Sequence, residues 1–212
     1  EKPKNSSHII NLVYPPIEIK NNYEFEGEKN FKGITKIEYA QDKLEYELNF
    51  INDKIKITSP KDKNINFNVD ANILLNPFNF DAKLKVNNKK VENIIDNFIL
   101  RLLSYDENYL GNINGDLIIE FNNLNNKLIK NGLIEADISE KKILFKKVSF
   151  ELDKIGKINS DISFNNKQGE TKFFSKNHLT IKDHIEFAKV FQIGSKKTKN
   201  IKNMNFNLEK SV

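Results

Sequence analysis

The residues that could do chemistry in this 212-residue chain are few: three histidines, His8, His178 and His184, a scatter of carboxylate pairs, and a run of lysines near the end. Two or three imidazoles brought together with a carboxylate would hold zinc or shuttle protons, but no histidine here has a second histidine or acid at a metal-site spacing. Each reads as a structural or solvent-exposed residue. Glu45 with Glu47, or Asp42 with Asp53, would be drawn as acid and base of a glycosidase. Glu45 and Glu47 instead alternate along an apolar segment, as the wet side of a strand does. The glycines are isolated, with no phosphate cradle, dinucleotide fingerprint or nucleophile elbow. With no cysteine there is no thiol catalysis, disulfide or cysteine-based metal site. The sequence therefore assigns no catalytic residue, no metal and no cofactor, and reads as a protein that is not an enzyme.

The elements around those residues are amphipathic strands. Leu44, Tyr46, Leu48 and Phe50 alternate with Lys43, Glu45, Glu47 and Asn49, so one face is apolar and the other charged. The rhythm continues through Ile55 and Ile57; Ile65 to Ile73, with Phe67; Phe80 to Val86, with Leu84; Leu117, Ile119 and Phe121; Ile134 to Ile138; Ile143 to Leu152, with Phe150; Ile158, Ile162 and Phe164; Phe173; Leu179 and Ile181; and Met204 to Leu208. Short polar breaks separate the strands, among them Asn52-Asp53, a two-residue hairpin. Neighbours in sequence are expected to pair antiparallel.

Two segments depart from this rhythm. Over 88–104, Val91, Ile94, Ile95, Phe98, Ile99, Leu102 and Leu103 recur at helical spacing and predict one long amphipathic helix. A short helix is expected over 183–191, capped by Asp183, with Ile185, Ala188 and Phe191 or Val190 inward. Residues 1–22, with Pro15-Pro16, read as an extended leading segment with an edge strand near Ile17 to Lys20, and 23–212 as one β-rich domain. The fold class is mainly β: a curved antiparallel meander, open as a groove or closed as a sandwich, with the two helices attached.

Charge adds little. The formal +5 is almost all lysine, interleaved with Glu and Asp as on a solvated face. Only Lys196, Lys197, Lys199 and Lys202 concentrate it, where a loop is expected. Strand aromatics and lysines alternate onto opposite faces, whereas a nucleic-acid platform needs them together, so no nucleic-acid partner is expected. No apolar run is long enough to cross a bilayer as a helix.

The stretch Asn112-Ile113-Asn114-Gly115-Asp116-Leu117-Ile118-Ile119-Glu120-Phe121, followed by Leu128-Ile129-Lys130-Asn131-Gly132-Leu133-Ile134, resembles the strand, short loop, Asn-Gly, strand rhythm in the C-terminal regions of AsmA-like proteins. Phe173-Phe174-Ser175-Lys176-Asn177-His178-Leu179-Thr180-Ile181, leading to Phe191-Gln192-Ile193, is similar to the end of that region. The resemblance covers roughly the last hundred residues. It implies an elongated, curved sheet with an apolar concave face and a charged convex one, in the periplasm of a two-membrane bacterium. The tether to the inner membrane would lie outside this chain. It further implies a non-enzymatic role in phospholipid transport or outer-membrane assembly, with phospholipid or another acyl lipid, and other envelope proteins, as partners. The groove residues would be Leu44, Tyr46, Leu48, Phe50, Phe67, Leu84, Leu117, Ile119, Phe121, Phe150, Ile162 and Phe164. The alternative is a β-rich scaffold or adhesion module whose apolar face is a closed core and which binds protein partners. A carbohydrate-active β fold is the third reading and requires two acids converging in a cleft.

Overall fold

The computed structural model describes residues 4–12, 17–26, 29–39, 42–60, 66–88, 113–139, 142–167 and 170–211. They form one thirteen-stranded sheet in which spatial order follows chain order. The first seven strands are β1 (Lys4–Leu12), β2 (Ile17–Phe25), β3 (Asn30–Tyr39), β4 (Asp42–Ile51), β5 (Lys54–Thr58), β6 (Phe67–Leu75) and β7 (Phe78–Asn87). The remaining six are β8 (Gly115–Asn122), β9 (Asn131–Ser139), β10 (Lys142–Leu152), β11 (Gly156–Lys167), β12 (Glu170–Ile181) and β13 (Asn203–Ser211). Helix α1 (His184–Val190) and the single turn α2 (Ser195–Thr198) interrupt the last hairpin. The sheet is open, since β1 and β13 are its two edges.

Alternation makes this sheet one-sided. Phe31, Phe50, Ile55, Ile73 and Phe80 are paired strand to strand across β3 to β7, and the row continues through Gly115, Ile138 and Ile143. Paired residues share a face, so this row and its parallels make one apolar surface. The opposite face carries cross-strand ion pairs: Lys36 with Glu45 at 3.4 Å, Lys83 with Glu120 at 2.6 Å, and Lys146 with Asp116 at 2.7 Å and Asp137 at 3.3 Å. The Lys83 ammonium, hydrogen-bonded to Glu120, holds that carboxyl below its usual range. Exposed pairs of this kind contribute little each and keep the outer face wet.

All strand pairs are antiparallel except β7 with β8, which run parallel. A parallel neighbour requires a crossover from one end of the sheet to the other, and residues 88–114 make that connection. The long helix expected over 88–104 is not borne out: the described helices are the two short ones. Apart from Asn88, the segment lies outside the described residues. The expected extended leading segment is also different, because β1 and β2 pair in register along nine residues and belong to the same sheet. The boundary expected at residue 22 falls inside β2. Ser6 and Asn21 stand in the apolar phase of these two strands, which weakens the alternation that would have revealed them.

The turns follow their residues. Asn52 and Asp53 have φ of 45° and 67°, a left-handed pair that joins β4 to β5 as a two-residue hairpin. Asp tolerates this region less well than Gly. Asp53→Gly is therefore expected to stabilise the fold by about 0.5–1 kcal/mol, read as a rise in the urea midpoint at unchanged slope.

The core is concentrated in the second half of the sheet. Val86, Ile119, Phe121, Ile134 and Val148 are buried together with Leu124 from the β8–β9 connection. A second cluster joins Leu152, Ile155 and Leu179 to Phe187 of α1. Strands β2 to β5 keep the same alternation, but the described apolar side chains on that face stay half-buried.

Candidate functional site: an apolar hollow under the C-terminal roof

The twelve residues expected to line a groove fall on one face of the sheet. Register places Leu44, Tyr46, Leu48 and Phe50 on β4, Phe67 on β6, Leu84 on β7, Leu117, Ile119 and Phe121 on β8, Phe150 on β10, and Ile162 and Phe164 on β11. They do not form one site. Ile119 and Phe121 are buried core, and Phe67, Leu84, Leu117, Phe150 and Ile162 pack against that core. Burial pushes the Tyr46 hydroxyl pKa up.

Hollows lie on both faces of the sheet. Over β1 to β7 two open hollows, of about 1350 and 830 Å³, are lined mostly from the charged face, by Asn22, Lys32, Glu47 and Lys56 in one and Lys54, Asn72 and Asp81 in the other.

The apolar face is hollowed over β10 to β13. A hollow of about 380 Å³ has as its floor Phe150, Leu152, Ile158, Leu179, Met204 and Phe206, with Ser160 among them, and Leu128, Ile129 and Phe191 as its other walls. Ser160 is its one polar lining residue.

Two pieces of local structure build the roof. In the β8–β9 connection the Asn126 carboxamide accepts from the backbone N–H of Leu128 at 2.7 Å and Ile129 at 2.9 Å, an Asx-type turn that turns both side chains inward. On the other side the Asp183 carboxylate caps α1, accepting from the N–H of Ile185 at 2.8 Å and Glu186 at 3.1 Å. Those donors lower the Asp183 pKa, Glu186's first and Ile185's next.

The expected cap is therefore present and Ala188 is inward as expected, but the other inward residues differ. Phe187 and Ala188 are buried, whereas Ile185 is 58% exposed and Val190 and Phe191 remain exposed. The hydrogen bonds of Lys182 and Asp183 N–H to the Ile155 carbonyl fix the helix entry, and that rotation aims position 187 at the sheet. Phe191 packs tilted against Phe187, with ring centroids 4.7 Å apart, and also lines the hollow.

Ser160 and the buried polar residues beside it are satisfied. Ser160 and Ser175 hydroxyls each lie 2.7 Å from the Asn177 side-chain oxygen, and the Asn177 amide donates to the carbonyls of Ser175 and Phe206 at 3.3 Å. A second buried polar group on the same face joins Asn21 to the Tyr23 and Thr35 hydroxyls at 3.0 and 2.9 Å. Neither group was singled out from the sequence. The signal was there, since Asn21 and Asn177 interrupt the apolar phase of their strands.

Among the described residues no group of three or more histidines and acids is placed to hold a metal. His178 faces outward with Nδ1 2.7 Å from the Asn205 side-chain oxygen, and the His184 carbonyl lies 3.1 Å from the Thr198 hydroxyl. No helix of the described residues is long and apolar enough to cross a membrane. Compared with family models, curated proteins and solved structures, the chain matches none.

Proposed function

We propose that this chain is a non-enzymatic acyl-lipid-handling segment of an AsmA-like envelope protein, working in the periplasm on a tether to the inner membrane that lies outside this sequence. The observation that carries the reading is the hollow over β10 to β13. Its size is at the small end of ligand pockets, and its walls are aliphatic and aromatic apart from Ser160. Ser160 points its hydroxyl at Asn177, so an occupant finds no charge and no unmet donor on the floor. An acyl chain fits that chemistry, and each methylene taken from water contributes about 0.8 kcal/mol.

Organic extracts of the purified chain, analysed by mass spectrometry, should contain phospholipid or fatty acid. Ser160→Phe places a ring in the hollow and is expected to lower the recovered lipid on the order of tenfold, the equivalent of losing one or two buried methylenes. Extracts free of acyl lipid, or equal recovery from both proteins, would reject the reading.

A β-rich scaffold with a closed core is the second reading, and the observation favouring it is the pair of unpaired edges, β1 and β13. An edge strand is a template for a partner strand. A chain that carries no lipid but captures extended peptides at β13 would fit that account.

A further inference from the structure

The lysine run near the end of the chain joins an exposed apolar knob, and together they make a surface that the hollow alone does not explain. Between Lys182 and Lys202 stand six lysines, Lys182, Lys189, Lys196, Lys197, Lys199 and Lys202, against two acids, Asp183 and Glu186. All six are exposed. Six minus two leaves +4 in these 21 residues, whereas the whole chain is +5, so the other 191 residues are nearly balanced at +1.

The same segment exposes Ile185 at 58%, Val190 at 46%, Phe191 at 43% and Ile193 at 40%. Elsewhere among the described residues the exposed large apolar residues are scattered singly through the strands; here four fall within nine residues. Such a patch marks an interaction surface. The knob is held in shape by buried Thr198, whose hydroxyl lies within reach of the carbonyls of His184 and Ser195 at 3.1 and 2.9 Å.

We infer that the α1–α2 knob docks on the surface of an anionic lipid bilayer. Protruding aliphatic and aromatic side chains beside lysines match acyl–headgroup boundary and anionic headgroups respectively. A nucleic acid would use the lysines and leave Ile185, Val190 and Ile193 without a partner; the segment also carries no arginine. An acidic protein groove is the competing occupant, and absence of flotation in the test below would favour it. Phe191 belongs both to the knob and to the wall of the hollow, so docking brings the hollow to the membrane. The docking stands on exposure and charge and does not depend on lipid occupying the hollow.

The test is flotation of the whole chain, stripped of lipid, with vesicles of phosphatidylcholine alone or mixed with phosphatidylglycerol. The chain should float with the mixed vesicles and not with the neutral ones. It should be released near 1 M salt, where screening acts within about 3 Å. Lys196→Gln with Lys197→Gln should weaken binding roughly 25-fold, about fivefold for each lysine. Ile185→Ser with Val190→Ser should weaken it on the order of tenfold. All four side chains are exposed, so unchanged thermal unfolding is expected for both variants. Absence of flotation, equal flotation with neutral vesicles, or binding untouched by both double variants would overturn the inference. Ser160→Phe should float like the unaltered chain, so failure of the hollow to hold lipid is read separately from failure of the knob to dock.

Discussion

Phe187→Ala is expected to detach α1 from the sheet, at a cost of about 3–5 kcal/mol for removing a buried phenyl ring. Phe187 is 1% exposed and packs into the cluster of Leu152, Ile155 and Leu179. A seven-residue helix has no stability of its own in water, so its docking decides whether it forms. The Asp183 cap and the contacts of Thr198 with the His184 carbonyl remain in the variant, yet they hold the helix to its own ends and not to the sheet. Hydrogen exchange should therefore show lost protection over 184–198 while β8 to β10 stay protected. Phe191 would leave the wall of the hollow with its helix, and recovered acyl lipid should fall as well. Ile185→Ala is the control: its exposed side chain should change stability by no more than about 0.5 kcal/mol. The opposite ranking of the two variants would restore the inward Ile185 that helical periodicity suggests.

That pair of variants also locates where the sequence stops being informative. Alternation along single strands was legible because each strand carries its own period: Leu44 to Phe50 could only be apolar on one side. Asn52-Asp53 and the Asp183 cap were legible for the same reason, being local chemistry. What depends on partners far along the chain was not. The parallel pairing of β7 with β8 is set by packing across the sheet, and nothing in either strand's own pattern distinguishes it. The rotation of α1 is set by the Ile155 carbonyl, far back in the chain, and a helix this short has too few residues for its period to overrule that anchor. The hollow escaped notice because Leu128 and Ile129 sit in a connection, where apolar residues have no phase to read. The lysines at 196 to 202 were visible, but their weight came only with the exposure of Ile185, Val190 and Ile193 beside them.

Gly132→Val is expected to destabilise the sheet by roughly 1–3 kcal/mol, through overpacking at a place where the apolar face has no room. Gly132 lies opposite Phe121 on β8 and Phe150 on β10, and the two rings close over it with centroids 5.9 Å apart. A Cβ at residue 132 would stand 2.4 Å from the Phe150 ring and 3.2 Å from that of Phe121. Phe121 is 3% exposed and cannot withdraw, so the displacement falls on Phe150, which forms the floor of the hollow. Valine's preference for strands works the other way, but that scale spans only about 1 kcal/mol. The loss should appear as a lower urea midpoint. If the clash is the cause, Phe150→Leu added to Gly132→Val should recover part of it, with a coupling of about 0.5–3 kcal/mol. Additive losses in the double variant would place the cost in the backbone of β9, and a neutral Gly132→Val would mean that the rings are free to part.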